Sequence, residues 1–171
     1  MIGDAPRPAI ARPVSWAASA VSITQIGVTD LDAVMEIMHT AFEERFGEAW
    51  TRSQCAGILP MAGIALHLAT AGDGRAAGFS LMRAVADEAE LLLIAVDPAH
   101  QHRGIGQALV SDFITAATAK GATRLHLEVR DGNPAIALYE RVGFTLAGRR
   151  KNYYRGPDGE SRDALTLALN L

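Results

Sequence analysis

Two groups of residues in this chain have the types and spacing to do chemistry. The first is Asp97-Pro98-Ala99-His100-Gln101-His102-Arg103-Gly104-Ile105-Gly106-Gln107, entered by an apolar run from Leu91 to Val96 and left by an amphipathic one. Glycines at a helix start leave backbone amides uncovered, and those amides, with the positive end of the helix dipole, favour an anion. The segment therefore predicts a ligand carrying a pyrophosphate. The second group is Leu125-His126-Leu127-Glu128-Val129-Arg130 together with the later Tyr139. Strand alternation puts Leu125, Leu127 and Val129 on one face and His126, Glu128 and Arg130 on the other. A carboxylate in mid-strand beside apolar neighbours is costly unless it is paired or functional. A surface pair of Glu128 with Arg130 or His126 is the plain alternative, and a core aromatic is the default reading of a lone Tyr139.

A dinucleotide-binding turn is the rival reading of the glycine loop. That turn wants G-x-G-x-x-G directly after a strand. Here Leu109 stands where the third glycine belongs, and the seven residues from Asp97 to Arg103 separate strand from first glycine. Glu128 lies about where a ribose-binding carboxylate would, which is a weak coincidence alone.

The elements that must hold these groups are legible from hydrophobic period and punctuation. Val21 to Ile26 reads as an opening strand. Leu31, Val34, Met35, Met38, Phe42 and Phe46 recur at helical spacing behind a Thr29-x-x-Asp32 start. Thr51-x-x-Gln54 opens a second, short helix that stops at Pro60. Ile64 to Ala71 and Ala77 to Val85 form a hairpin about Gly72-Asp73-Gly74, and Ala89 to Val96 is a strand apolar enough to be buried on both faces. A helix runs from Gly104 to Gly121, marked by Ile105, Leu109, Phe113 and Ala117. After the strand Thr123 to Arg130, Asn133-Pro134 starts a helix ending at Gly143. Phe144 to Tyr154 and Asp163 to Leu169 close as a hairpin. The order β-αα-βββ-α-β-α-ββ predicts an α/β (α+β) fold, a mixed, mostly antiparallel sheet with helices on both faces.

Gln101-x-x-Gly104-x-Gly106 behind Ala95-Val96-Asp97-Pro98 resembles the acetyl-CoA loop of the GNAT N-acetyltransferase superfamily, whose element order is the same over residues 21–171. Leu127-Glu128-Val129-Arg130, Asn133, Ala137-Leu138-Tyr139-Glu140 and Gly143-Phe144 resemble one branch, the bacterial ribosomal-protein alanine N-acetyltransferases. Arg149-Arg150-Lys151-Asn152-Tyr153-Tyr154 and Asp158-Gly159 with Asp163-Ala164 extend that likeness. The resemblance implies acetyl-CoA as co-substrate, Glu128 as general base and Tyr139 as general acid. It implies cofactor contacts from Ile94, Ala95 and Val96, from His102, Arg103, Gly104, Ile105, Gly106 and Gln107, and from Asn133. Its acceptor is a protein N-terminal amine, the alanine of a small-subunit ribosomal protein.

The chemistry fits those roles. Transfer needs a neutral amine, a protonated leaving thiolate and a held carbonyl oxygen. An α-amine of pKa about 8 is roughly one-tenth neutral at pH 7, whereas a lysine is neutral about once in a few thousand. One carboxylate acting through water is thus a credible base for the α-amine, and a phenol near 10 can protonate a thiolate of similar basicity. A backbone N–H near Val96 could polarise the carbonyl if the central strands splay there. Asn133 stands six residues before Tyr139, one fewer than the family spacing, so Gly132 competes for the asparagine's place. The region after Asp158 is about a residue longer than the family pattern. Trp50, Tyr153 and Tyr154 are candidates for an acceptor groove and equally for packing.

Other features bound the alternatives. The chain has 171 residues, 49% apolar and 20% charged, with net charge −3. That suits one domain, gives no electrostatic case for nucleic-acid binding, and holds no apolar run of membrane-spanning length. The single cysteine, Cys55, excludes an internal disulfide, fits a reducing cytoplasm and reads as a buried thiol. Residues 1–20, with Pro6, Pro8 and Pro13, read as a flexible arm; Ser15, Ser19 and Ser22 interrupt any signal-peptide core. His100 and His102 lack a third ligand at metal spacing, so no metal is expected. Arg149-Arg150-Lys151 reads as a solvated strand face. Expected, then, is an acetyl-CoA-dependent N-acetyltransferase, a monomer or weak homodimer, touching neither nucleic acid nor membrane. A GNAT enzyme of small amines or lysine, and a non-catalytic acyl-CoA sensor, are the alternatives.

Overall fold

The two apolar faces anticipated for the central strands are both used. The computed structural model describes residues 21–171, so the arm expected over residues 1–20 lies outside them. Seven strands form one sheet: β1 (Ser22–Ile26), β2 (Ile64–Thr70), β3 (Ala76–Val85), β4 (Glu88–Val96), β5 (Arg124–Arg130), β6 (Thr145–Arg155) and β7 (Ser161–Asn170). Their spatial order is β1-β2-β3-β4-β5-β7-β6. Every neighbouring pair is antiparallel except β4 with β5. The helices α1 (Leu31–Ala41), α2 (Arg52–Ile58), α3 (Ile105–Ala119) and α4 (Ile136–Val142) complete the expected order.

Helix α1 buries Leu31, Val34, Ile37 and Met38 with Cys55 of α2 against Phe79, Leu81, Leu93 and Ala95. On the opposite face α3 buries Val110, Phe113 and Ala117 against Leu125, Leu127 and Leu167, with Tyr139 and Phe144 alongside. His67 of β2, buried on that face, contacts the Asp112 carboxylate of α3 through Nδ1. Cys55 is buried as anticipated, and burial raises its thiol pKa.

Several local starts differ from the sequence reading. The first helix stops at Ala41, and Phe46 belongs instead to a separate turn, Glu44–Phe46. Thr29 does not cap α1: Asp30 is the cap residue and its carboxylate accepts from the Gly27 N–H at 3.2 Å. The Thr51/Gln54 box forms as anticipated, the Gln54 side chain accepting from Thr51 N–H at 2.7 Å. Asn133 and Pro134 make a turn ahead of α4, whose cap residue is Ala135.

One irregularity sets up the cleft. Leu81 pairs with Leu93 but Met82 pairs with Leu91, so Leu92 is an extra residue in β4. Such a bulge bends the strand and shifts the side-chain phase of the residues beyond it. Ala89 and Leu91 accordingly face α3, whereas Leu93 and Ala95 face α1.

Candidate functional site

β4 and β5 pair only from Glu88/Arg124 to Leu91/Leu127. Beyond that point β4 follows β3 to Val96 and β5 follows β7 to Arg130, so a wedge opens between two parallel strands. Asp97 N–H donates to the Ala77 carbonyl. Antiparallel alternation therefore points the amides and carbonyls of Ile94 and Val96 away from β3, into the wedge. Gln101 Nε2 donates to the Val96 carbonyl at 3.3 Å.

The wedge is part of a cleft of about 870 Å³. At one end lies the start of α3. Gly104 sits there with φ +79°, a left-handed conformation that favours glycine, and no side chain caps the helix. Ala108 N–H to the Gly104 carbonyl is the first helical bond, so the amides of Ile105, Gly106 and Gln107 have no helical acceptor. A Cβ on Gly106 would stand 3.2 Å from Leu138 Cδ2, so its absence lets α4 close on this end. Of the anticipated cofactor residues, Ile94, Ala95, Val96, His102, Gly104, Ile105, Gly106, Gln107 and Asn133 line the cleft. Arg103 is exposed on the loop outside that lining. His100 is buried away from the cleft with Nε2 3.8 Å from Asp73, and His102 is exposed.

At the other end Glu128 and Tyr139 enter the same cleft from β5 and α4. The Glu128 side chain is 16% exposed, and its Oε1 stands 3.1 Å from Arg150 Nε of β6. The pairing offered as the plain alternative does not form: Arg130 goes to Glu48 and His126 to Glu90, while β6 supplies the partner of Glu128. The arginine run is likewise more than a solvated face, since Arg149 pairs with Asp131 and Asp163 as well. Tyr139 is 4% exposed and meets Phe144 edge-on at 6.2 Å, so it is both a packed aromatic and a cleft residue. Burial, then the Glu48 carboxylate, pushes its pKa well above the ordinary tyrosine value. Tyr154 is raised by burial and by Glu48 and Glu128, and Tyr153 by burial and a hydrogen bond to Glu128. Trp50, Tyr153 and Tyr154 all line this end.

The same wall holds residues that the sequence reading missed. Glu48 Oε1 is 3.2 Å from Arg130 Nε, and both side chains are 11% exposed. The Arg130 guanidinium lies 3.6 Å over the Phe46 ring. This segment between α1 and α2 locks onto the β6–β7 hairpin: Arg162 donates to the Arg45 carbonyl at 3.1 Å. A Cβ on Gly47 would fall 2.4 Å from the Arg155 carbonyl, and one on Gly156 1.9 Å from that of Arg45. Irregular backbone gives no hydrophobic period, so only the tertiary contact identifies Glu48.

The profile of the Acetyltransferase (GNAT) family matches residues 31–144. The chain belongs to the GNAT acetyltransferase family. The matched stretch runs from α1 to the residue before β6 and so holds the wedge, the glycine loop, Glu128 and Tyr139. Among relatives, the [ribosomal protein bS18]-alanine N-acetyltransferase of Escherichia coli K12 is 46% identical over 98 residues. That match takes in 57% of this chain and 66% of the relative, just under two thirds of its length. The Salmonella typhimurium protein of the same name is 45% identical over 105 residues, 61% of this chain and 70% of the relative. The crystal structure of the ribosomal-protein-S18-alanine N-acetyltransferase from Escherichia coli superposes with TM-score 0.79 and 36% identity. It covers 88% of this chain and 94% of that one, and the mixed GNAT sheet is common to both.

Proposed function

We propose that this GNAT protein is an acetyl-CoA-dependent N-acetyltransferase whose acceptor is the α-amine of a protein N-terminus. The acceptor protein is, on this reading, a small-subunit ribosomal protein beginning with alanine. The observation that carries the activity is the convergence of Glu128 and Tyr139 on a wedge whose other wall is unpaired β4 backbone. The names of the relatives support the acceptor.

The free amides of Ile105, Gly106 and Gln107 suit a pyrophosphate, and the Ile94 and Val96 backbone suits an amide-bearing chain laid along β4. Asn133, Gly104 and His102 border the same path, while Arg103, being exposed, is assigned at most a contact at the outer phosphate end. Acetyl-CoA supplies the acetyl thioester. Glu128, held between Arg150 and Tyr153, takes the ammonium proton directly or through water. The Val96 N–H is placed to draw charge onto the carbonyl oxygen. Tyr139, kept protonated by its surroundings, gives its proton to the departing sulfur and regains one, through water, from the second proton the nitrogen sheds as the amide forms. The enzyme carries no acetyl group itself.

Residues 21–171 act here as one catalytic domain, and the reaction is placed in the cytoplasm, where a lone buried thiol is at home. None of the described helices is long and apolar enough to cross a membrane. The test is CoA release with acetyl-CoA and three acceptors: an Ala-starting ribosomal peptide, the same peptide N-terminally blocked but bearing lysine, and a polyamine. Turnover confined to the free N-terminus, falling about 10²–10⁴-fold in Glu128→Gln, is the expected result. Equal turnover of the blocked peptide or the polyamine would move the substrate, and acetyl-CoA binding with no turnover would leave a sensor.

A further inference from the structure

Among the described residues, Glu48 is an acid without a hydrogen-bond donor. Among the described residues no N–H or O–H donates to its carboxylate, although its side chain is 11% exposed and one oxygen lies 3.2 Å from Arg130 Nε. That nitrogen is itself buried with no hydrogen-bond partner among the described residues, so the two are paired in charge but not in alignment. Burying a carboxylate without donors is costly. The segment around it leaves it little freedom: the Gly47 and Gly156 contacts and the Arg162 hydrogen bond fix the backbone on either side. To align, Arg130 would have to give up its stacking on Phe46. What remains open to Glu48 is the cleft, which it lines together with Glu128, Tyr139 and Tyr154.

Resting on the function proposed above, we infer that Glu48 is a second acceptor-binding carboxylate, which holds the incoming ammonium before Glu128 deprotonates it. Two carboxylates then line the acceptor end, one on the α1–α2 segment and one on β5. Each already has an arginine beside it, Arg130 or Arg150, that does not occupy all its lone pairs. An ammonium brings three donors to a place that lacks them. The neutral product amide brings one and no charge, so the same carboxylate favours release after transfer. Glu48 moves no proton in this scheme. It is a positioning residue, and its loss is felt in acceptor binding.

The experiment compares wild type, Glu48→Gln, Glu48→Asp and the double variant Glu48→Gln/Arg130→Met, using whichever of the three acceptors wild type acetylates. Expected for Glu48→Gln is an acceptor KM raised about tenfold or more, with the loss in kcat/KM lying mainly in KM and an unchanged Kd for acetyl-CoA. Glu48→Asp recovers part of that loss. The double variant, which removes the buried cation as well, keeps the high KM. If the double variant restores KM, Glu48 serves only to neutralise Arg130 and the inference is overturned. A fall in kcat with KM unchanged overturns it too, by moving Glu48 to proton transfer. Preference for the polyamine or the blocked peptide would refute the N-terminal reading while leaving the Glu48 comparison decisive on that amine. Absence of turnover with all three would refute both.

Discussion

The proposed mechanism asks Tyr139 to be an acid, and the structure shows it as a packed aromatic with a raised pKa. The ring is held edge-on by Phe144 and the hydroxyl is kept protonated by burial and by Glu48. Tyr139→Phe keeps the ring, so thermal stability and acetyl-CoA affinity should hold while kcat falls about 10²-fold. Weakened acetyl-CoA binding with an intact kcat would refute the general-acid role. All three tyrosines of the chain are raised. A spectrophotometric titration of the folded protein should therefore place tyrosinate formation above the ordinary value of 10.0 for each of them. Tyr139→Phe should remove one of the three steps, and a step at the ordinary value would contradict the assigned surroundings. At this scale the sequence was informative where chemistry repeats a spacing: Glu128, Tyr139 and the glycine loop could be named from the chain, and the structure brings them to one cleft. Glu48 and Arg150 could not, because each becomes part of the site only when distant segments meet, at Arg130 and Glu128 respectively.

The proposed acceptor wall is a joint between two elements, and its tightest contacts are backbone against backbone. Gly156→Ala would drive a methyl group to 1.9 Å from the Arg45 carbonyl, so the α1–α2 segment must part from the hairpin. The expected outcome is an acceptor KM raised about tenfold or more, with acetyl-CoA affinity intact because the glycine loop lies at the other end. Equal losses of both affinities would show that the two ends are not independent. The bend in β6 has its own anchor. Asn152, at φ +54°, donates its N–H to Asp163 at 3.0 Å, and Arg149 adds a second bond at 2.9 Å. That hydrogen bond and then the arginine hold the Asp163 carboxyl below the ordinary carboxylate value. A lowered pKa means the restraint is complete above the usual carboxylate range and is lost only as pH falls through the lowered value. Hydrogen exchange at Asn152 should accordingly lose protection in Asp163→Ala at neutral pH, and in wild type only under more acid conditions. Element order could be read from period and punctuation, as α3 and the β2–β3 hairpin illustrate. Element ends could not: Phe46 continues the helical spacing of α1, yet its ring is claimed by Arg45, Arg130 and Arg162. Tertiary cation–π contacts outrank a local period there.

Across the whole molecule, the buried protons set the direction of pH stability. Cys55, Tyr139 and Tyr154 keep their protons in the folded chain at pH values where the unfolded chain has lost them. Their contribution is complete below the unfolded values and disappears as pH rises beyond them. The urea midpoint should therefore fall between about pH 8 and about pH 10.5, and a midpoint that rises would overturn the burial of these groups. The two faces of the sheet were legible as apolar faces, since β4 is apolar almost throughout. Which residue of β4 serves which face was not, because no single-residue pattern announces the bulge at Leu92. That bulge carries a consequence for how the gene can vary. Loss of the one codon for Leu92 would leave Leu91 opposite Met82 and Leu93 opposite Leu81 with nothing between them, so both cores would keep their residues. The strand would lose its bend, and a straight β4 could run on beside β5 and consume the backbone donors that line the wedge. Loss of the codon for Ile94 would instead turn Ala95 to the wrong face and damage the core. Two deletions two codons apart would thus have opposite costs, one sparing the fold and closing the cleft, the other striking the fold itself.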